Sequence, residues 1–252
     1  MLSEERLEEI LRIVNHDGSV SNQELVTMLG ASESTIRRDI TALAAAKKLI
    51  KVHGGALSLN RQYASEDEDI SERRTMQVEE KKEIGSFAAR FISDGDLVYV
   101  DAGTTTEALV NSIPKGIRAV FVTNAMSHAV ALGKKGCDVY ILGGKVKPVT
   151  EAVVGSGAIL SLEMYNFSKG FFGANGIERS HGITTPDLGE ADIKTYALSR
   201  CRERYILADS SKFDHVSSIA FAQLDNVTVI TDSIPEDYSD FDILSVKGGE
   251  DK

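Results

Sequence analysis

Ser32-Glu33-Ser34-Thr35-Ile36-Arg37-Arg38-Asp39-Ile40 has two chemically distinct faces if it is wound as a helix. Ile36, Ile40 and Leu43 recur at i, i+4 and i+7, a stripe that belongs against a core, and Ser34, Arg37, Arg38 and Thr41 fall on the opposite side. Short hydroxyls and paired guanidiniums on one exposed face suit the base edges and phosphates of a major groove. Two adjacent arginines taken alone more often mark an ordinary solvated helix. The flanking sequence reverses that balance.

Upstream, Leu7, Ile10, Leu11 and Val14 define an amphipathic first helix behind Ser3 as N-cap, ending near Asp17-Gly18. Ser21-Asn22-Gln23-Glu24 is a capping box, Val20 and Leu25 supply a hydrophobic staple around it, and Gly30 after Leu29 is a C-terminal stop. A short turn then leads to Ser32, the N-cap of the third helix, which is helix-turn-helix spacing. Downstream, Leu49-Ile50-Lys51-Val52-His53-Gly54-Gly55-Ala56 alternates apolar and polar residues before a glycine pair, as a short hairpin wing does.

The run Ser34-Thr35-Ile36-Arg37-Arg38-Asp39, the leucine at 43 and the wing Lys51-Val52-His53-Gly54-Gly55-Ala56 resemble the N-terminal signature of the DeoR family of bacterial transcription regulators, over residues 1–57. The resemblance implies that the third helix enters the major groove and the wing lies along the DNA backbone. Ser34, Thr35, Arg37, Arg38, Thr41, Lys51, His53 and Gly54 are then the expected DNA contacts. Each arginine is suited to a guanine or to a phosphate. Asp39 is expected to hold an arginine in position or to pair within the domain, because a carboxylate facing phosphate is repelled.

With 252 residues, 42% of them hydrophobic, the chain has room for two domains and a substantial core. Its net charge of −10 is unusual for a DNA-binding protein, and residues 1–57 hold seven Lys/Arg against eight Asp/Glu. Four of those acids crowd the first helix, whereas Arg37, Arg38, Lys47, Lys48 and Lys51 lie in the helix-and-wing half, so distribution outweighs the sum. A balanced module of this kind is expected to need a dimer or tetramer for useful affinity. No apolar run reaches the ~18 residues of a membrane span. The opening Met1-Leu2-Ser3-Glu4-Glu5 is not a basic-then-apolar leader, so a cytoplasmic protein is expected. Cys137 and Cys201 lack metal-ligand spacing and the five histidines are scattered, so neither a metal nor another cofactor is expected.

Residues 58–77 contain Ser65-Glu66-Asp67-Glu68-Asp69 and are expected to form an acidic linker, followed by a helix from Val78 to Ile92 with Ile84, Phe87, Ala88 and Phe91 on one face. Beyond it, short apolar runs end in small polar loops. Leu97-Val98-Tyr99-Val100 leads into Asp101-Ala102-Gly103-Thr104-Thr105-Thr106, Ala119-Val120-Phe121-Val122 into Thr123-Asn124, and Val139-Tyr140-Ile141-Leu142 into Gly143-Gly144. Lys169-Gly170-Phe171-Phe172 leads into Gly173-Ala174-Asn175-Gly176, and Tyr205-Ile206-Leu207-Ala208 into Asp209-Ser210-Ser211-Lys212. Doubly buried strands alternating with helices predict a mainly parallel α/β domain over 78–252, with ligands bound at the carboxyl ends of its strands.

The Asp101–Thr106 loop is the strongest ligand candidate: Gly103 permits a tight turn, and the amides and hydroxyls that follow can donate to a phosphate dianion. Threonines acting only as helix caps explain the same residues equally well. Over residues 78–235 the chain looks like the DeoR-type sensor domain, itself similar to ribose-5-phosphate isomerase. The resemblance implies a phosphate loop at Thr104, Thr105 and Thr106, Lys81 beside it, a ligand-binding Lys212 and, at the isomerase's catalytic glutamate, Glu190. With Asp101, Gly103, Thr123, Asn124 and Gly143 these form the expected effector site, and Lys194 is an alternative cation to Lys81. Where the isomerase pattern has an Asp-Gly-Ala-Asp run, this chain has Phe172-Gly173-Ala174-Asn175, and the lysine of the next loop is replaced near His181. Glu190 alone lacks the groups that would support proton transfer between carbons, so no catalytic residue is assigned.

The expected protein is a DeoR-family repressor of a carbohydrate-use operon that binds double-stranded operator DNA and a phosphorylated sugar, with a fructose phosphate as first candidate and glycerol phosphate as competitor. A sugar-phosphate isomerase-like enzyme with an accessory DNA-binding arm and a scaffold that only oligomerises on DNA are the alternatives.

Overall fold

The computed structural model describes residues 3–17, 19–52, 55–58 and 69–247. Contacts divide the chain into two units, Met1–Ala64 and Ser65–Lys252.

The first unit runs α1 (Ser3–Asp17), β1 (Ser19–Ser21), α2 (Asn22–Leu29), α3 (Glu33–Ala45), β2 (Leu49–Val52) and β3 (Gly55–Ser58), and its three strands form an antiparallel sheet in the order β1-β3-β2. Local signals set its helix boundaries. The Ser21 hydroxyl accepts from the Glu24 N–H at 3.1 Å while the Glu24 carboxylate accepts from the Ser21 N–H at 2.7 Å, closing the capping box. Gly30 ends α2 with φ 62°, a left-handed conformation that glycine adopts without Cβ strain. Ile10, Val14, Leu25, Ile36 and Ile40 are buried together in one core with Val20 and Leu49. The strand β1, absent from the sequence expectation, pairs Val20 with Ala56.

The second unit opens with α4 (Ile70–Thr75) and α5 (Val78–Ala89), then β4 (Leu97–Val100), α6 (Thr104–Ser112), β5 (Val120–Thr123), α7 (Met126–Lys134) and β6 (Asp138–Ile141). The hairpin β7 (Lys145–Lys147) and β8 (Ala152–Val154) precedes α8 (Ser156–Leu162), β9 (Phe167–Gly173), β10 (Gly176–Glu178), β11 (Gly182–Thr185) and α9 (Leu188–Ser199). The unit closes with β12 (Cys201–Leu207), β13 (Ile219–Ala222), β14 (Thr228–Thr231) and β15 (Ile243–Ser245). Seven strands form one sheet in the order β15-β14-β12-β9-β4-β5-β6, every neighbouring pair parallel. The small sheet β10-β11-β13 and the β7–β8 hairpin are antiparallel.

Strand alternation divides the apolar residues between two cores. Tyr99, Val122, Phe172 and Ile206 face one side of the sheet, and Val98, Val100, Phe121, Phe171 and Leu207 face the other. The helices α5 and α6 meet closely at Gly85, where a Cβ would come within 2.5 Å of the Ala108 carbonyl carbon.

The expected acidic linker over 58–77 needs correction at its end. Residues 70–75 are helical because Asp69 caps them through the Ser71 N–H at 2.8 Å, Ile70 is buried, and the Ile70 N–H donates to the Val149 carbonyl at 3.1 Å. The last of these is a tertiary contact with no local signature.

Strand order also creates a switch point. From β4 the chain steps outward through β5 to β6, whereas from the adjacent β9 it steps the other way through β12 and β14 to β15. Connections diverge there, at the carboxyl ends of β4 and β9, the usual ligand position in open parallel sheets.

Candidate functional site

In the first unit α3 buries Ile36, Ile40 and Leu43 and exposes Ser34, Arg37, Arg38 and Thr41. Asp39, 7% exposed, accepts from Arg6 Nε at 2.6 Å, a tie that anchors α1 to α3 and takes this carboxylate off the outer face. The Ser32 hydroxyl caps the helix and lies 2.8 Å from the Thr35 hydroxyl. Arg37 pairs with Glu33 at 2.6 Å across one exposed helical turn, while Arg38 has no partner among the described residues. Lys51 of β2 donates to the Thr41 hydroxyl at 2.9 Å, which brings a wing cation onto the same face as α3. His53 and Gly54, also expected to touch DNA, lie outside the described residues.

In the second unit the carboxyl ends of β4 and β9 meet at a buried charge pair. Asp101 is 1% exposed and pairs with Lys194 of α9, which also donates to the Gly173 carbonyl at 3.1 Å. Gly173 N–H in turn donates to Asp101 at 3.3 Å, so three strand-end and helix elements are clamped at one point. Burial pushes the Asp101 carboxyl upward, and the ammonium of Lys194 opposes the shift.

Just after Asp101 α6 begins at Gly103, with no side chain capping its first-turn amides. Thr106 donates back to the Gly103 carbonyl at 2.9 Å, so Gly103 and not a threonine is the N-cap, and no N-cap side chain competes for the first-turn amides. Asn124, at the end of β5, accepts from the Ala102 N–H at 2.8 Å and fixes the loop to its neighbour strand. Thr123 is fully buried and accepts from the Ala125 N–H at 3.0 Å, a local structural tie. Lys81, 7% exposed, donates to the Arg73 carbonyl at 2.6 Å and lines a cleft of about 440 Å³ with Thr104. Gly143 is exposed at the end of β6, two strands from β4, and Lys212 follows β12 on the opposite side.

The family models agree with this division. The DeoR-like helix-turn-helix domain matches residues 6–62, and the DeoR C terminal sensor domain matches residues 76–233. The chain belongs to the DeoR family. A Bacillus subtilis relative, "Uncharacterized HTH-type transcriptional regulator FruR", is 38% identical over 236 residues, covering 94% of this chain and 93% of its own. The lactose phosphotransferase system repressor of Streptococcus mutans is 35% identical, covering 94% and 95% respectively. Ribose 5 phosphate isomerase A from Neisseria gonorrhoeae overlaps 56% of each chain at 16% identity, with a TM-score of 0.43.

This DeoR chain is therefore a DNA-binding regulator with a sensor unit. Among the described residues no helix is long and apolar enough to cross a membrane, and no cluster of three His, Cys, Asp or Glu is placed to hold a metal.

Sequence reasoning missed several partners in the sensor unit. Glu190, 6% exposed, accepts from the Thr150 hydroxyl at 2.6 Å and from Lys147 at 3.3 Å, and Lys147 also pairs with Asp187 at 3.0 Å. The β7–β8 hairpin thus folds onto the start of α9, and no local pattern links Lys147 to Glu190. Lys194, offered by the sequence only as an alternative to Lys81, is committed to Asp101. His128 of α7 is a further omission. It is 1% exposed, lies against the Gly103 carbonyl, and leaves Nδ1 without a hydrogen-bond partner among the described residues.

Burial lowers the His128 pKa from 6.5 to about 4, the Gly103 carbonyl opposing and Arg74 assisting. The imidazole is neutral in the folded chain, so its contribution is complete above the unfolded value and is lost as pH falls from 6.5 toward 4. A shift of this size corresponds to about 3 kcal/mol. In urea melts at pH 7 and pH 4, His128→Gln is expected to lose less stability on acidification than the parent. Equal losses would show that His128 does not titrate in this window.

Proposed function

We propose that this DeoR-family chain is a repressor of a carbohydrate-use operon, and that a phosphorylated sugar bound at the switch point changes its affinity for DNA. The observation that carries the proposal is the uncapped start of α6 at the carboxyl edge of the sheet, with Lys81 beside it and Lys212 beyond β12. Backbone amides and the helix field hold a phosphate dianion without a dedicated side-chain acceptor competing for them. Thr104, Thr105, Thr106 and Lys81 take the phosphate in this proposal. Lys212, Glu190 and Gly143 face the sugar. Relatives named as lactose phosphotransferase system repressors support a sugar-responsive role. A fructose phosphate is the first ligand to test.

On the DNA side, Ser34, Thr35, Arg37, Arg38, Thr41 and Lys51 contact the operator in this proposal, with His53 and Gly54 from the wing. The protein acts as a dimer or tetramer, because one charge-balanced module has little non-specific affinity. Half-sites are then expected at whole helical turns, about 10–10.5 base pairs or multiples.

Footprinting of the upstream region with and without a panel of sugar phosphates tests the proposal. Arg38→Ala is expected to weaken operator binding by about 1–3 kcal/mol. Arg37→Ala should cost less, because Arg37 already spends part of its charge on Glu33. Unchanged affinity for both variants at matched salt would remove α3 from the DNA contact, and release by no sugar phosphate would remove the sensor role.

A further inference from the structure

The cleft that joins Lys81 to Thr104 is also lined by Arg74, Lys82, Glu107 and Asn111, three cations against a single carboxylate. Arg74 lies on α4 and spans two other elements. Its Nε donates to Glu107 of α6 at 2.9 Å, and its Nη2 donates to Glu151 at 3.1 Å, in the turn between β7 and β8. Around that pair α4 is held at two more points, by the Ile70 N–H on the Val149 carbonyl at 3.1 Å and by Lys81 on the Arg73 carbonyl at 2.6 Å. Lys81 thus donates to α4 itself, and Arg74 to the carboxylates that hold α4. Glu107 sits in the first turn of α6.

A dianion arriving at Thr104–Thr106 changes this balance. It stands within one helical turn of the Glu107 carboxylate and repels it, while it offers Arg74 a more highly charged partner with matching geometry for two parallel N–H donors. No hydrogen bond from Arg74 Nη1 is found among the described residues, so the guanidinium can engage the ligand before it gives up a carboxylate.

We propose that Arg74 is a ligand-binding residue that exchanges Glu107 and Glu151 for the effector's phosphate, and that this exchange releases α4. The inference rests on the proposed phosphate site at Thr104–Thr106. It adds a residue to that site and names the element that moves. Position in the chain makes α4 the suitable element, because among the described residues it is the first helix that follows the DNA-binding unit in sequence. A ligand that shifts the equilibrium must bind the two states differently, and here the difference is one guanidinium that changes partners.

The test uses the full chain with inorganic phosphate as probe, sodium chloride matching the ionic strength, and two readouts: phosphate affinity, and hydrogen–deuterium exchange over residues 69–76. Phosphate should speed exchange over that segment in the parent protein. Arg74→Gln should weaken phosphate binding by about tenfold or more, and its segment should already exchange fast without phosphate. The double variant Glu107→Gln, Glu151→Gln retains Arg74 and removes its competitors. It should bind phosphate more tightly than the parent, a gain that a merely damaged fold does not produce. Thr105→Ala separates the two levels of the proposal. If Thr105→Ala weakens phosphate binding while Arg74→Gln and the double variant both bind as the parent does, Arg74 is no ligand and this inference falls alone. If phosphate binds the parent without altering exchange over 69–76, the release of α4 is overturned. If the parent binds no phosphate, or Thr105→Ala binds it unchanged, the site at Thr104–Thr106 fails and carries this inference down with it.

Discussion

Replacing Lys194 by methionine is expected to cost the sensor unit about 3–5 kcal/mol, the loss that follows when one partner of a buried ion pair is removed. Lys194 and Asp101 are 3% and 1% exposed, so no solvent reaches the carboxylate that is left behind. Asp101 then recovers part of the cost by taking up a proton. Burial already pushes its pKa upward, and loss of the ammonium pushes it further. A raised carboxyl favours folding at low pH and loses that contribution as pH rises through the folded value, so the variant should be weakest at neutral and alkaline pH. Urea melts of Lys194→Met at pH 5 and pH 8 measure both effects. The double variant Asp101→Leu, Lys194→Met should recover much of the stability, because an apolar pair of similar volume pays no charge desolvation. A single variant that melts with the parent at both pH values would mean that the pair contributes nothing to the stability of the sensor unit.

The second large effect concerns response, leaving the fold intact. Thr105→Ala removes one charge-assisted hydrogen bond to the proposed phosphate, worth about 1.5–3 kcal/mol. Lys212→Ala removes a full charge and should cost more. Neither residue belongs to the DNA-binding unit, so operator affinity without effector should survive while release by sugar phosphate disappears. In cells such a repressor stays on its operator. Linkage gives an independent measure: an effector that lowers DNA affinity by some factor must itself bind the DNA-bound protein more weakly by that factor. Titrating effector in the presence and absence of operator reads it directly. Variants that still release DNA at the parent's effector concentration would place the phosphate elsewhere.

The DNA-binding unit was legible in the sequence because short-range interactions determine its helix ends and faces. The Ser21–Glu24 box, the Gly30 stop, the Ser32 cap and the Ile36–Ile40–Leu43 stripe each involve residues three to seven positions apart, and each appears in the structure where its spacing puts it. Even Asp39 could be assigned an internal role by charge logic alone, though not its partner Arg6, which comes from a different helix. The apolar runs of the second unit likewise announced strands, largely buried in β4, β5, β9 and β12, whereas β6 at the sheet edge leaves Tyr140 and Ile141 exposed, and the Gly-Thr-Thr-Thr segment announced a helix start.

What the tertiary structure decided is how those strand ends meet. Five strand-end loops were visible along the chain, but their order in space depends on crossovers, and only the order β12-β9-β4-β5 sets the Asp101 and Gly173 loops side by side at a switch point. The pairs that build the site, Asp101 with Lys194, Glu190 with Lys147 and Thr150, and Arg74 with Glu107 and Glu151, join residues far apart in sequence. A lysine, a glutamate or an arginine carries no sign of which distant charge it will meet, because the Coulomb term depends on separation in space and on burial, and both come into being only when the sheet closes its layers. The six-residue helix α4 is the clearest case: it directly follows an acidic run that reads as linker, and its side chains and Ile70 N–H find partners on α6 and the β7–β8 hairpin.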